Sequence, residues 1–324
     1  MVKAIRIHEP GGPEVLKYED VEVAAPGAGE VLLKQNACGL NYIDVYHRMG
    51  AYPLDYPATI GMEGMGVVEA VGEGVDAFKA GDRVAYADMP PGAYAEARLM
   101  PWHRLVKLPD SIEDQTAAAM MLQGMTVEYL IRRTFKVSKG DTVLFHAAAG
   151  GVGLIACQWL NHLGVTVIGT VGSAEKAELA KAHGCHHTIN YRTENFVDRV
   201  KELTDGKGVP VVYDSVGKDT FDGSLDCLKP RGTMVLFGAA SGPPAPIDPA
   251  ILGKKGCLYL TRPSLMVYNA QREELEASAA ALFDVVTSGK VKIEVNQTYP
   301  LSETAQAHRD LEARKTTGST VLLP

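Results

Sequence analysis

The sequence predicts an α/β protein in which a β-rich part is combined with a doubly wound parallel sheet. The chain has 324 residues, and at roughly 100–200 residues per domain this length suggests two domains. About the first 120 residues consist of short apolar runs separated by turns rich in glycine and proline, a texture typical of β structure. Further along, strand-like and helical segments alternate strictly, which indicates a parallel sheet with helices on both faces.

The β-rich part contains three clear strand candidates and ends where the composition changes near Asp114. Good helix formers then predict a helix over residues 114–135, although Gly124 weakens its middle. The predicted strands of the β-rich part are residues 31–35, 66–71 and 83–86.

The alternating part follows, and we expect its apolar runs to be buried strands. Its predicted strands are residues 142–146, 166–170, 187–190, 209–213 and 233–237, and its predicted helices are residues 151–163, 174–183, 194–203 and 220–228. The remaining chain predicts a strand at 257–260, a helix at 273–288, a strand at 292–295, a short helix at 302–312 and a final strand at 319–323.

Composition excludes several classes of protein. The hydrophobic fraction of 46% and the charged fraction of 22% are close to the globular average, so extensive disorder and a multispan membrane protein are excluded. Lys and Arg number 32 against 39 Asp and Glu, a net charge of −7. That balance argues against a nucleic-acid or anionic-membrane partner, although a local basic pocket remains compatible with it.

Cysteine use predicts a reducing compartment. The five cysteines are odd in number, scattered and without a CxxC pair, which fits neither a disulfide framework nor a compact zinc knuckle. The N-terminus lacks the apolar core of a signal peptide, and no run of about 18 apolar residues occurs. We therefore expect a soluble cytoplasmic protein.

The strongest local signal is a glycine-rich turn between the first predicted strand and helix of the alternating part. The turn carries the pattern AxxGxxG at Ala147, Gly150 and Gly153. Glycine at 150 and 151 lets the backbone approach a pyrophosphate, and the helix N-terminus adds free N–H groups. Gly153 allows close packing of the helix on the strand. A dinucleotide site is predicted, with Ala149, Gly150, Gly151 and Val152 as contacts.

The end of the next strand distinguishes NADP from NAD. An NAD enzyme places an acidic residue there for the ribose 2′-hydroxyl, whereas this chain has Gly172 and Ser173. Ser173 can donate a hydrogen bond to a 2′-phosphate, and Lys176 lies one helical turn further on. If Lys176 points toward the phosphate, Glu175 is expected to point elsewhere. The alternative for Lys176 is a solvated helix lysine, but the pattern favours NADPH as the cofactor.

Motifs along the whole chain resemble a known family. They are GGPEVL (residues 11–16), GLNYIDVYHRMGAYP (39–53), GMEGMGVVEAVGEGV (61–75), KAGDRV (79–84), QGMTVEYLI (123–131), HAAAGGVGLIACQW (146–159), INYR (189–192), VVYDSVG (211–217) and YLTRPSL (259–265). Together they resemble zinc-independent medium-chain dehydrogenase/reductases, specifically the quinone oxidoreductases related to ζ-crystallin and, among these, the bacterial NADPH-dependent group.

The resemblance implies a domain organisation. A GroES-like catalytic domain would comprise residues 1–124 and 265–324, with a Rossmann NADP-binding domain of residues 125–264 inserted in it and the active site in the cleft. It also implies a homodimer that pairs through the edge strand of the Rossmann sheet, near residues 257–260.

The zinc ligands of metal-dependent relatives are missing. Asn41 stands at the first cysteine position and Met62 at the histidine position, so that only Glu63 of the motif remains. Amide and thioether groups do not form a zinc site of the ordinary N/S type, and Cys38 is interpreted as a packing residue. In AHGCHH (residues 182–187), neighbouring histidines on a strand point to opposite faces, which disfavours a metal site. No metal is expected.

The expected substrate contacts lie in residues 39–53. Asn41, Tyr46 and Tyr52 are predicted near the substrate oxygen and the nicotinamide ribose, with Asp44 as a supporting polar group. For each tyrosine the alternative is a packed residue with a satisfied hydroxyl. The other predicted cofactor contacts, most of them from the resemblance, are Tyr42, Thr126, Tyr129, Tyr191, Ser215, Phe237, Gly238, Ala240, Arg262, Pro263 and Arg314.

The resulting hypothesis is hydride transfer from NADPH to a quinone without a metal. A simple ketone would form an alkoxide that needs a Lewis acid or a strong proton donor, whereas a quinone gives a delocalised, weakly basic hydroquinone anion. Two alternatives stay open: an NADPH-dependent reductase of activated C=C bonds in enones or alkenals, and a non-catalytic NADPH-binding protein. Turnover with quinones and alkenals distinguishes the three.

Overall fold

The computed structural model describes residues 1–324, which divide into two compact units. Unit 1 comprises residues 1–125, 269–287 and 293–324, and unit 2 comprises residues 126–268 and 288–292. Each unit therefore combines segments that are far apart in the sequence. No helix of the structure is both long enough and apolar enough to cross a membrane.

Unit 1 is built mainly from strands, as the turn-rich N-terminal sequence predicts. Its strands are β1 (Val2–Ile7), β2 (Lys17–Val21), β3 (Glu30–Leu40), β4 (Ala58–Thr59), β5 (Glu63–Val71), β6 (Arg83–Ala87), β7 (Ala97–Pro101) and β8 (Val106–Lys107). Its helices in this part of the chain are α1 (Tyr42–Arg48), α2 (Asp114–Ala118) and α3 (Met121–Tyr129), the last of which continues into unit 2.

The predicted helix over residues 114–135 is wrong in its continuity. The structure has two helices, α2 and α3, and a π-helical turn (Leu130–Thr134). The break lies at residues 119–120 rather than at Gly124, because the buried carboxylate of Glu63 accepts the backbone N–H of Leu122 (3.0 Å). Gly124 has a packing role instead, since a Cβ there would lie 2.4 Å from the Leu282 side chain.

Unit 2 contains the predicted parallel sheet. Its strands are β9 (Thr142–Phe145), β10 (Thr166–Val171), β11 (His187–Asn190), β12 (Val209–Asp214), β13 (Leu228–Leu236) and β14 (Tyr259–Thr261). Its helices are α4 (Gly151–His162), α5 (Ala174–Ala182), α6 (Phe196–Leu203), α7 (Phe221–Asp226), α8 (Ala250–Lys254) and α9 (Leu265–Tyr268).

The strand order of unit 2 confirms the Rossmann prediction. The six strands pair in the order β11-β10-β9-β12-β13-β14, and all pairs are parallel. This is the doubly wound order 3-2-1-4-5-6. The edge strand β14 begins at Tyr259 rather than at the predicted residue 257, because Gly256 and Cys257 adopt positive φ (115° and 57°) that a strand does not allow.

The C-terminal part returns to unit 1. It forms α10 (Arg272–Thr287), β15 (Val295–Pro300), α11 (Thr304–Glu312) and β16 (Ser319–Leu323). The strand predicted at 292–295 thus lies later, at β15, which pairs in parallel with β16. Strand β16 in turn pairs antiparallel with β3. The tail therefore extends the N-terminal sheet of seven strands, with β15-β16-β3-β5-β6-β8 in order and β7 on β3, while β2-β1-β4 form a separate small sheet.

Candidate active site

The glycine-rich turn of unit 2 connects β9 to α4. Ala147 adopts positive φ (56°), and the turn closes with a hydrogen bond from Gly150 N–H to the Ala147 carbonyl (3.0 Å). The N–H of Ala148 donates to the Thr170 carbonyl (3.0 Å), which ties the turn to the end of β10. The turn is therefore held by backbone bonds at the carboxyl edge of the sheet, where ligands of open α/β sheets bind.

The two outer glycines of the turn differ in what surrounds them. A Cβ on Gly153 would lie 2.4 Å from the Ala147 carbonyl oxygen and 2.6 Å from the Ala148 carbonyl carbon, so α4 approaches the turn too closely for any side chain. A Cβ on Gly150 would meet only the Ala147 oxygen, at an ordinary 3.4 Å. No protein contact requires glycine at 150, and no side chain caps the N-terminus of α4. This open cradle of helix N–H groups fits a diphosphate.

Three of the residues predicted around the 2′-phosphate lie together at the end of β10. Ser173 is the N-cap of α5, and its Oγ accepts the backbone N–H of Lys176 (3.3 Å). The Tyr191 hydroxyl lies over Gly172, because a Cβ there would be 2.6 Å from it. Lys176 is half-buried, whereas the Tyr191 side chain is exposed.

Glu175 lies beside the predicted phosphate site. A hydrogen bond with the Ser173 side chain lowers the pKa of the Glu175 carboxyl. An exposed carboxylate thus contacts the same hydroxyl that is predicted to hold a 2′-phosphate. Its negative charge opposes phosphate binding at this position.

The predicted contacts at the ends of β12 and β13 are neighbours. A Cβ on Gly238 would lie 2.6 Å from the Ser215 carbonyl oxygen, and Ala240 N–H donates to that same oxygen (3.0 Å). The Phe237 ring contacts Phe145 at 5.8 Å between centroids. These residues therefore form one edge of the sheet together with the glycine-rich turn.

Thr126, Tyr129 and Arg262 also come together in unit 2. Burial raises the pKa of Tyr129, while the charge of Arg262 and a hydrogen bond with Thr126 lower it. The Tyr129 ring stacks on Tyr268 at 4.6 Å and is buried. Arg262 is exposed and donates to the Leu236 carbonyl (3.1 Å), and Pro263 is buried.

In unit 1, Asn41 is buried at the start of α1, and both the nitrogen and the oxygen of its carboxamide are hydrogen-bonded. Its Nδ2 donates to Glu63 Oε2 (2.6 Å), and its Oδ1 accepts from Gln123 Nε2 (3.1 Å). Gln123 was not predicted as a site residue, because it is 82 positions away in the sequence. Glu63 was considered only as the remainder of a zinc motif.

Asp44 lies under Asn41 and supports its backbone. Its Oδ2 accepts the backbone N–H of Asn41 (2.9 Å) and the hydroxyl of Tyr94 (2.7 Å). Asp44 is completely buried, and burial raises its pKa to about 7 against the opposing effect of these hydrogen bonds. Asp44 therefore acts on the site through Asn41.

The tyrosines of α1 and the following loop form an aromatic cluster. Tyr46 packs edge-on against Tyr42 (5.5 Å between centroids) and against Tyr52 (5.8 Å). Tyr52 is 41% exposed, so part of its ring is accessible. Burial raises the pKa of Tyr42, and the opposing charges of Glu312 and Arg314 act on it. Arg314, one of the predicted cofactor contacts, thus belongs to unit 1 and lies near Tyr42.

The residues at the former zinc positions do not fit a metal. No group of three or more His, Cys, Asp or Glu is arranged to hold a metal ion. The Cys38 thiol donates to the Ala93 carbonyl (2.7 Å), and Asn41 turns an N–H toward Glu63. In residues 182–187, His183 Nδ1 contacts the Leu179 carbonyl and His186 Nδ1 accepts the Val167 N–H.

Two family models match the chain. The alcohol dehydrogenase GroES-like domain matches residues 27–110, and the zinc-binding dehydrogenase family matches residues 151–282. The second description mentions zinc, but this chain has Asn41 and Met62 at the positions where zinc-dependent relatives have a cysteine and a histidine ligand.

Relatives match over the full length. A quinone oxidoreductase of Pseudomonas aeruginosa is 55% identical, with 100% of both chains covered. A 2-haloacrylate reductase of Burkholderia sp. is 49% identical, covering 100% of this chain and 99% of its own. The solved structure of Escherichia coli quinone oxidoreductase complexed with NADPH is 47% identical and has a TM-score of 0.98, covering 99% of this chain and 100% of its own. The chain therefore belongs to the quinone oxidoreductase family of the medium-chain dehydrogenases/reductases.

Proposed function

We propose that this protein is an NADPH-dependent quinone reductase, with unit 1 as the catalytic domain and unit 2 as the cofactor domain. The observation that carries the cofactor is the open cradle at Gly150, where nothing in the protein requires glycine and the helix N-terminus has no side-chain cap. The full-length quinone oxidoreductase relatives support the substrate class.

The cofactor contacts divide by the part of NADPH that they hold. The amides at the start of α4 would bind the diphosphate. Ser173 and Lys176 would bind the 2′-phosphate, and Tyr191 would lie along the adenosine. Thr126, Tyr129 and Arg262 are assigned to the nicotinamide end. The bound NADPH supplies the hydride.

The substrate contacts lie on α1 and the loop that follows it. Asn41 has an N–H that can donate to a quinone oxygen, and the accessible ring of Tyr52 can stack on a quinone. Hydride transfer from NADPH gives the hydroquinone anion, a weak base, which then takes up one proton from water to give the hydroquinone. Hydrogen-bond donors and correct positioning then supply much of the catalysis.

Reduction of activated C=C bonds is the second candidate, and the 2-haloacrylate reductase relative supports it. It uses the same hydride donor and needs an N–H donor at the activating carbonyl oxygen. Steady-state turnover with NADPH and a panel of quinones, enones, alkenals and 2-haloacrylate tests both. We expect the highest kcat/KM with a quinone. Strong turnover of alkenals without turnover of any quinone would reverse the choice, and NADPH binding without any turnover would indicate a non-catalytic protein.

We further propose a homodimer and a cytoplasmic location. Strand β14 is an edge strand with only β13 beside it, and Tyr259 on it is 62% exposed. An unpaired edge of this kind is a template for pairing with a second copy. Light scattering coupled to size exclusion tests this, and a monomeric mass would reject the dimer.

All five cysteines are free thiols, which supports a reducing compartment such as the cytoplasm.

A further inference from the structure

A buried chain of hydrogen bonds runs from Glu63 to Ser319 in unit 1. Its links are Asn41 Nδ2 to Glu63 Oε2 (2.6 Å), Gln123 Nε2 to Asn41 Oδ1 (3.1 Å) and Ser319 Oγ to Gln123 Oε1 (2.8 Å). All four side chains are buried. The chain therefore joins the predicted substrate contact, Asn41, to three residues that are distant in the sequence.

The direction of this chain fits an ionised Glu63. Its Oε2 accepts from Asn41, and its Oε1 accepts the backbone N–H of Leu122 (3.0 Å). Both carboxylate oxygens thus receive donors. Each amide along the chain then accepts on one side and donates on the other.

The same atoms also allow the opposite direction. A protonated Glu63 would donate its O–H to Asn41 once that carboxamide had turned over, and Gln123 would then turn over as well. Gln123 would donate to Ser319, whose hydroxyl already lies 3.0 Å from the Ala119 carbonyl oxygen and would donate there. Each link of this hydrogen-bond chain can form in both directions, so the proton on Glu63 selects between them.

We propose that Glu63 is a positioning residue whose ionised carboxylate directs the Asn41 carboxamide toward the quinone oxygen. This inference rests on the proposed function. Asn41 Nδ2 carries two hydrogens, and Glu63 takes one of them, which leaves the second for an acceptor. In the reversed chain Oδ1 occupies that position, and two oxygens then repel each other.

The surroundings of Glu63 shift its pKa into a range in which both the protonated and the ionised form can be assayed. The pKa of Glu63 is raised to about 8, mainly by burial and also by the charge of Asp44, although the hydrogen bonds from Asn41 and from the amides of Leu122 and Met121 oppose this rise. Tyr94 is the other titratable group coupled to this charge. Gly39 leaves the carboxylate its space, because a Cβ there would lie 2.4 Å from Oε2.

The test is Glu63→Gln, assayed for quinone reduction across pH. A glutamine must direct its oxygen to Leu122 N–H and its NH₂ to Asn41, which imposes the reversed direction on the hydrogen-bond chain. We expect a Tm within about 3 °C of wild type and a kcat/KM for quinone about tenfold lower at alkaline pH. The kcat/KM of the wild type should rise with pH as Glu63 ionises, and this rise should be absent in the variant. Glu69→Gln, an exposed position on the same strand, is the matched control.

A double variant distinguishes the effect of the direction of the hydrogen bonds from the effect of losing the N–H donor of Asn41. In the double variant Asn41→Asp with Glu63→Gln, the aspartate accepts hydrogen bonds from the amides of residues 63 and 123. The hydrogen bonds that support the fold are therefore kept, but residue 41 has no N–H to donate to the substrate. We expect its quinone activity to be as low as that of Glu63→Gln; recovered activity would reject Asn41 as the donor.

Each other outcome bears on one claim. A Glu63→Gln protein with the rate and pH profile of wild type overturns the inference and leaves the proposed function intact. Failure of that variant to fold also overturns it, because every link of the reversed hydrogen-bond chain is predicted to form. A wild type that binds NADPH but reduces no quinone rejects the proposed function, and the inference with it.

Discussion

Replacement of Gly150 by alanine separates cofactor binding from folding. Gly150 has an extended backbone (φ −80°, ψ 172°) that alanine adopts freely, and the added Cβ would meet only the Ala147 oxygen at 3.4 Å. Loss of backbone freedom in the unfolded chain favours alanine by about 0.4–1 kcal/mol. Alanine is a poorer helix cap than glycine by a similar amount. We therefore expect the Tm of the apoprotein to change by no more than about 2 °C.

The same methyl group occupies the cradle in which the diphosphate is proposed to bind. Hydrogen bonds to a charged group contribute about 1.5–3 kcal/mol each, and the loss of one corresponds to a Kd for NADPH at least about tenfold higher. NADH carries the same diphosphate, so its Kd should rise by the same factor. The ratio of the two affinities should therefore stay constant.

The assay is fluorescence titration with each nucleotide, together with thermal unfolding of the apoprotein. Gly153→Ala is the comparison, because its Cβ would lie 2.4 Å from a carbonyl oxygen and should cost about 1–3 kcal/mol of stability. Gly253→Ala, on α8 with nothing within 4 Å of the added Cβ, controls for the substitution itself. A Gly150→Ala protein with wild-type Tm and wild-type affinity for NADPH would refute the placement of the diphosphate.

Two further predictions concern charge. Lys176→Ala should raise the Kd for NADPH about tenfold and leave NADH binding nearly unchanged, whereas Glu175→Gln should tighten NADPH binding; equal effects on the two nucleotides would reject the 2′-phosphate assignment. Asp44 has a pKa of about 7 in the folded protein, above its unfolded value, so it contributes stability at acid pH that is lost as pH rises toward and through 7. Asp44→Asn should therefore flatten the fall in Tm between about pH 4 and pH 7, and an unchanged slope would contradict the raised pKa.

Much of unit 2 could be predicted from the sequence because its signals are local. The alternation of strands and helices, the glycine spacing and the absence of an acidic residue at positions 172 and 173 are all signals that lie within about 30 residues of one another. The close packing at Gly153 follows from the same short segment. Only details were shifted, such as the start of β14 after the positive-φ turn at Cys257.

The predictions that went wrong lie where distant segments compete for backbone groups. Residues 114–135 have good helix propensity. However, Glu63, which lies on strand β5, accepts the backbone N–H of Leu122, and a new helix begins at that point. Propensity is a weak preference compared with the need to satisfy a buried carboxylate.

The sequence by itself determined the class of fold, the family and the position of the phosphate-binding turn, because short-range periodicity and backbone geometry specify them. Only the tertiary structure decided how Asn41 is oriented. Its partners, Glu63 and Gln123, come from two other segments, and Ser319, from the C-terminal strand, completes the chain. Which buried donor meets which acceptor depends on how those segments pack, and no local pattern contains that information.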